Sequence, residues 1–231
     1  MSLLRSRRMW TIIDDRERCP LLDELVRLPA SVTARGHVLK HDGTTTVTVV
    51  GDAVRRWVVK RYNTKNVWHA LRRLFRTSRA VNCWRAASRL RDAGINTPRR
   101  VAAMEERRFG ILRGRSWFVN EYIAGDTLAQ AIGRGAGNPS PLVAQAAEIV
   151  LRLRTAGIVH GDLKATNFVV HGDRIYLVDL DATRSPRGRY LESGLRKDWE
   201  RFLRNWSDQP DVLKEFESRL ADAGGVRAPS D

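Results

Sequence analysis

"VHGDLKATNFVVHGDRIYLVDLDAT", residues 159–183, decides the fold. Asp162 is followed by Lys164 two positions on, by Asn167 three beyond that, and by Asp179 twelve further. From Phe168 the chain reads as two short strands, "FVV" and "IYLVDL", around the turn "HGDR". The loop before the first strand carries Asp162, Lys164 and Asn167, and the second strand ends at Asp179, so both ends of the hairpin can converge on one pocket. Phosphoryl transfer from a nucleotide needs a carboxylate to orient the attacking hydroxyl, a cation beside the moving phosphoryl group and oxygen ligands for magnesium. Asp162, Lys164, and the pair Asn167 and Asp179 supply these in that order. Turn formers and a strand cap would explain each residue singly and would not explain the joint spacing.

The rest of the chain frames that site. At 231 residues it is long enough for a sizeable core in one domain or two closely associated lobes. Hydrophobic residues at 42% and charged residues at 29% fit a folded protein and are too apolar for a disordered one. Lys and Arg number 41 against 26 Asp and Glu, a net charge of +15. Such a surface attracts polyanions: nucleic acid, an anionic leaflet or an acidic substrate. Cys19 and Cys83 match no metal-ligand spacing and read as reduced thiols of a cytosolic protein. Charges interrupt the N-terminal "MSLLRSRRMWTIIDDRERCP" before any stretch as long as a signal-peptide core. No run approaches the roughly 18 to 20 apolar residues that span a bilayer.

Residues 1–30 read as a short helical or irregular lead-in, with "CPLLDELVRLP" offering one or two amphipathic turns between prolines. From Val38, "HVLKHDGTTTVTVV" and "RRWVVKRYN" predict antiparallel strands. Helical periodicity runs from Asn66 to Asp92 in two segments, and Gly94 ends the second. A second hairpin passes through "FGILRGRSWFVNEYI". After the loop "GAGNPSP", a helix carries Leu142, Ala146, Ile149 and Leu153 on one face. Helices are expected near Gly194–Trp206 and Asp211–Leu220, followed by a frayed tail. The division is a lead-in over 1–30, a sheet-containing lobe over 31–120, a mostly helical lobe over 121–220, and a tail over 221–231.

The motif "HGDLKATN" resembles the catalytic loop of the protein-kinase-like fold, and "LVDLD" resembles its metal-binding Asp segment. The resemblance implies an α+β, two-lobed fold with a small antiparallel sheet in the first lobe, and use of ATP and Mg2+. It gives Asp162 and Lys164 catalytic roles and makes Asn167 and Asp179 metal ligands. Lys60 in "WVVKRY" falls where this fold keeps the Lys that holds the α and β phosphates, and "NEYIAGDTL" resembles the hinge, where the backbone of Glu121, Tyr122 and Ile123 would bind the adenine edge.

This chain departs from the pattern in places. The loop expected to cover the nucleotide, "KHDGTTTVT", has one glycine, so Thr hydroxyls and backbone N–H groups would have to meet the phosphates. No Asp or Glu lies between Lys60 and Asp92, and Cys83 stands about where a helix Glu partner of Lys60 is expected. The loop reads His-Gly-Asp, and after "DLDATR" the chain passes almost directly into a helix, which argues against a regulated protein kinase.

"KRYN", "AGINTPRRVA", "VNEYIAGDTL", "HGDLKATNF" and "LVDLDATR" together look like the lipopolysaccharide core kinases, which phosphorylate Kdo or heptose in the inner core. Membership implies a lipopolysaccharide acceptor and peripheral work on the cytoplasmic face of the inner membrane. The charge agrees independently, since each Lys or Arg near an anionic leaflet contributes about 1 kcal/mol. Contacts are expected in "LRRLFRTSR", "RSPRGR" and "RKDWERFLR", with Arg184, Arg187 and Arg189 just past Asp179 as the acceptor candidates. Two alternatives stay open: a compact cytosolic kinase with a protein or RNA-associated partner, and a nucleotide-binding pseudokinase adaptor. Nucleic acid is the lesser expectation as partner, and the oligomeric state is not legible.

Overall fold

The computed structural model describes residues 2–5, 9–52, 55–63, 77–108, 112–134 and 139–221. The first of the two expected helical segments, part of two loops and the expected tail beyond 221 lie outside the described residues. The chain divides into two compact units, Met1–Ala87 with Pro98–Tyr122, and Ser88–Thr97 with Ile123–Asp231.

The first unit is built on a seven-stranded sheet with order β1-β2-β6-β7-β5-β4-β3, antiparallel at every described pairing. Its strands are β1 (Ser2–Arg5), β2 (Met9–Ile13), β3 (His37–His41), β4 (Thr45–Gly51), β5 (Arg56–Tyr62), β6 (Arg100–Arg108) and β7 (Leu112–Glu121). Trp57 and Val59 of β5 alternate onto one face and pack with Met104, Trp117, Val119 and the helices α1 (Pro20–Arg27) and α2 (Pro29–Ala34). Lys60 points the other way, level with Val47 on β4 and Phe118 on β7. Among the described residues β3 pairs with β4 alone; its register shifts between Val38 and Lys40.

The opening residues differ from a helical or irregular lead-in, because β1 and β2 extend the sheet before a 3-10 turn at Asp15–Glu17 and the helix within "CPLLDELVRLP". Thr11, Ile12 and Ile13 are β-formers whose burial against β6 outweighs the charges around them.

The second unit is mainly helical: α4 (Leu128–Gly133), α5 (Ser140–Thr155), α6 (Arg189–Leu203) and α7 (Pro210–Ala221), with a small sheet in the order β10-β9-β8. Here β8 is Asp126–Thr127, β9 Phe168–His171 and β10 Arg174–Leu177, and the helix α3 (Arg79–Asp92) ends at the segment leading into this unit. Thr127 and Gln130 cap α4 reciprocally. Of the face foreseen on α5, Ala146, Ile149 and Leu153 are buried and Leu142 is half-buried. The core centres on Phe202, whose ring lies 5.2 Å from that of Phe168 and 4.9 Å from that of Phe216. Burying aromatic rings between α6, α7 and β9 fixes the platform from which the loop before β9 projects.

Candidate active site

The loop before β9 starts at His160, a fully buried side chain whose Nε2 lies 3.0 Å from the Val178 carbonyl. A carbonyl only accepts, so Nε2 carries the proton and the buried Nδ1, which has no hydrogen-bond partner, does not. Burial pushes the imidazole below its ordinary pKa, against weaker opposing effects of the Val178 bond and of nearby carboxylates. Gly161 follows with φ +84°, where an added Cβ would lie 2.7 Å from the Ala182 carbonyl oxygen. Only glycine fits that conformation and that gap.

Two α6 side chains hold this glycine. Both carboxylate oxygens of the buried Asp198 accept from the Gly161 N–H at 3.0 Å, and Arg201 Nη1 donates to the Gly161 carbonyl at 2.7 Å. Asp162 comes next, half-buried, with Lys164 Nζ 3.0 Å from its Oδ2 and Arg201 Nε 4.0 Å from its Oδ1. Burial alone would raise the Asp162 pKa. The hydrogen bond and charge of Lys164, with Asn167 and Arg201, outweigh it and hold the carboxyl below its ordinary value.

Asn167 closes a single 3-10 turn, Ala165–Asn167, and its Nδ2 donates to the Asp162 carbonyl at 2.8 Å. That bond orients the amide and leaves Oδ1 as its acceptor atom. The Val178 N–H donates to the Asn167 carbonyl at 2.9 Å, which ties the end of the loop to the residue before Asp179. Asp179 itself has φ 61°, the one positive value among described non-glycine residues. A left-handed residue at the end of a buried strand is a strained feature of the kind found at functional sites. Asp162, Lys164, Asn167 and Asp179 thus belong to one unit, gathered at the open end of the β9–β10 hairpin.

A carbonyl oxygen from Asn167 and a carboxylate from Asp179 are hard donors suited to magnesium. Among the described residues no group of three or more His, Cys, Asp or Glu forms a metal cage. Magnesium needs none, since it usually keeps waters and takes phosphate oxygens beside one or two carboxylates.

Lys60 is half-exposed on β5 in the first unit. Cys83 is buried with its Sγ 3.4 Å from the Tyr62 hydroxyl, so it is a core residue. The carboxylate on the sheet face that Lys60 shares is Glu105, two strands over and buried, 2.6 Å from Arg107 Nε. In the hinge, Glu121 N–H donates to Arg99 O at 2.8 Å and Tyr122 N–H to Arg56 O at 2.9 Å, so neither of these two donors is open. The Glu121 carbonyl accepts from Asn120 Nδ2 at 2.8 Å. Of the backbone groups expected to meet adenine, the N–H groups of Glu121 and Tyr122 are thus already bonded within the first unit.

The threonines of residues 44–46 are engaged by protein groups, contrary to their expected role of meeting phosphates. Thr44 donates through both N–H and hydroxyl to Asp42 Oδ1, Thr45 accepts from Arg79, and Thr46 bonds with His41 and Arg61. The bonds from Thr44 and Thr45 bring the Asp42 pKa down to about 2. Arg184, Arg187 and Arg189 are exposed, and Arg184 exchanges two backbone hydrogen bonds with Val159, beside the loop. Arg189 stacks on the exposed Tyr190 ring, 5.1 Å from its centroid.

A sequence profile of the lipopolysaccharide kinase (Kdo/WaaP) family matches residues 32–218. The chain belongs to that family. It is therefore a member of a kinase phosphotransferase family. The solved structure of WaaP in complex with acyl carrier protein superposes with a TM-score of 0.56 at 21% identity, covering 93% of this chain and 99% of that one. The α+β protein-kinase-like fold expected from "HGDLKATN" is thus the one observed. Two curated proteins share shorter stretches. A probable bifunctional tRNA threonylcarbamoyladenosine biosynthesis protein of Methanosarcina mazei is 30% identical over 127 residues, 55% of this chain and 20% of that protein. The EKC/KEOPS complex subunit BUD32 of Encephalitozoon cuniculi is 39% identical over 62 residues, 27% of this chain and 30% of its own length. The chain thus spans under a third of either curated relative.

Reading the sequence missed Asp198 and Arg201 as part of this family member's site. A signal was present: on the helical wheel of α6, Asp198 falls with Gly194, Trp199 and Phe202 on the buried face, where an unpaired carboxylate is rare.

Proposed function

We propose that the protein transfers the γ-phosphoryl group of ATP to a hydroxyl of Kdo or heptose in the lipopolysaccharide inner core. The observation that carries this reading is that Asp162, Lys164 and Asn167, just before β9, and Asp179, just after β10, share the open end of the hairpin where Phe168 pairs with Leu177. Asp162, kept ionised by its cationic neighbours, orients the attacking sugar hydroxyl and accepts its proton. Lys164 leaves Asp162 to stabilise the moving phosphoryl group. Asn167 and Asp179 would hold Mg2+, which neutralises phosphate charge when bound. Lys60 would hold the α and β phosphates, and the Glu121 carbonyl with Ile123 the adenine edge.

The acceptor is anionic, and Arg184, Arg187 and Arg189 are exposed cations past Asp179 suited to its carboxylate or phosphates. Among the described residues no helix is long and apolar enough to cross a membrane. Work at the cytoplasmic face would therefore use the basic surface as a peripheral contact. An acyl carrier protein is a further partner to test, given the likeness to WaaP. The apolar cavity of about 320 Å3 between α5, α6 and α7, edged by Arg154, Arg196 and Glu192, suits an acyl group.

The short matches to a probable tRNA threonylcarbamoyladenosine biosynthesis protein and to an EKC/KEOPS complex subunit favour a second reading, a compact kinase with a protein or RNA-associated partner. Mass spectrometry of core oligosaccharide from cells expressing wild type or Asp162→Asn at equal levels separates the two. Loss of one core phosphate in the variant supports the first reading. Unchanged core phosphate with salt-sensitive tRNA binding supports the second.

A further inference from the structure

Gly161 separates His160 from Asp162 and brings no side chain of its own to the loop. Its φ of +84° would leave it free to swing, because glycine loses more conformational freedom on folding than any other residue. Both its backbone polar groups are nevertheless held by one turn of α6, the N–H by Asp198 and the carbonyl by Arg201. Asp198 Oδ1 also lies 3.8 Å from Arg201 Nη1, so the two holding groups steady each other.

We propose that Arg201 is a positioning residue for the catalytic loop, fixing the Gly161–Asp162 peptide plane and with it the direction of the Asp162 carboxylate. The inference rests on the kinase reading above for its catalytic consequence and on the geometry alone for the clamp. The Gly161 carbonyl and the Asp162 N–H lie in one rigid peptide plane, so holding the former sets the latter. The bond is charge-assisted and therefore stronger than a neutral one. The guanidinium presents several donors in a fixed fork: Nη1 reaches the carbonyl while Nε lies 4.0 Å from Asp162 Oδ1. A lysine has a single ammonium and cannot occupy both places. The loop, HGDLKATN, has no arginine of its own and thereby receives a fixed positive charge beside its carboxylate from a neighbouring helix.

The test compares wild type, Arg201→Met, Arg201→Lys and, as a control on the exposed face of α7, Lys214→Met. Carbonyl-13C glycine with 15N aspartate labels only the four Gly-Asp peptides, 51–52, 125–126, 161–162 and 172–173, so the Gly161 carbonyl is observed directly. In Arg201→Met its signal should move upfield, and turnover should fall about tenfold to a hundredfold, the scale of a misplaced reacting group, with MgATP affinity within about twofold of wild type. Arg201→Lys should lie between, and Lys214→Met should match wild type. If the methionine variant does not fold, the lysine variant alone decides, with an intermediate carbonyl signal and reduced turnover expected. An unmoved Gly161 signal, or unchanged turnover, overturns the proposal. If the wild type itself phosphorylates no core acceptor, the kinase reading fails, and the carbonyl signal still decides whether Arg201 clamps the loop.

Discussion

Lys164 Nζ sits 3.0 Å from Asp162 Oδ2, so the cation and the carboxylate of the candidate site neutralise each other when no phosphate is present. A phosphoryl group transferred at this site would compete with Asp162 for the same ammonium.

Replacing Asp162 by Asn removes the proton acceptor and keeps the shape. Turnover is expected to fall by about 10²- to 10⁴-fold, the usual contribution of a general base. Nucleotide affinity, followed by fluorescence titration, should hold or rise because Lys164 is released. Loss of ATP binding together with turnover would remove Asp162 from a purely catalytic role.

The proposed metal ligands predict a different signature. Asn167→Ala and Asp179→Asn should raise the Mg2+ concentration needed for half-maximal activity and weaken nucleotide binding when Mg2+ is present. In EDTA the residual nucleotide affinity should match wild type. Equal weakening with and without Mg2+ would place these residues outside metal binding.

Gly161→Ala asks a left-handed residue to carry a Cβ 2.7 Å from the Ala182 carbonyl oxygen and 2.8 Å from its Cβ. A cost of about 2 to 4 kcal/mol is expected from the conformation and the overpacking. Chemical denaturation measures it, and a variant as stable as wild type would contradict the packing described.

His160 makes stability depend on pH. Its folded pKa lies below the ordinary 6.5, chiefly through burial. Its contribution is therefore complete above about 6.5 and is lost as pH falls from there toward the folded value, because the unfolded chain takes up a proton the folded chain resists. Thermal melts at pH 7.5, 6.5 and 5.5 should show a smaller acid loss in His160→Phe than in wild type. Parallel losses would count against a buried neutral imidazole.

The spacing of Asp162, Lys164, Asn167 and Asp179 was legible because one hairpin carries all four, and a local motif survives without knowledge of tertiary contacts. Strands β3 to β5 were legible from runs of Val and Thr, and β7 from the hairpin segment "FGILRGRSWFVNEYI". Strands β1 and β2 were not, because isolated apolar residues among arginines carry no clear period, and for β2 the pairing with β6 decides. Asp198 and Arg201 escaped for a related reason: their partner, Gly161, lies 37 and 40 positions away. The hinge donors of Glu121 and Tyr122 could not be judged either, since strand pairing alone decides which backbone groups remain open. The engaged threonines follow from Asp42, which accepts from the turn in a way its sequence neighbours permit but do not require.

The side of β3 that pairs with no strand among the described residues has a bearing on solubility. Val38 and Leu39, each 51% exposed, lie on a strand with one described neighbour, which is a template for edge-to-edge aggregation. The register shift between Val38 and Lys40 bends that template, and the Lys40 charge discourages a like strand from docking. Lys40→Val should therefore leave the fold intact and make concentrated solutions scatter light and precipitate sooner, so that colloidal behaviour rather than thermal stability limits handling of the protein.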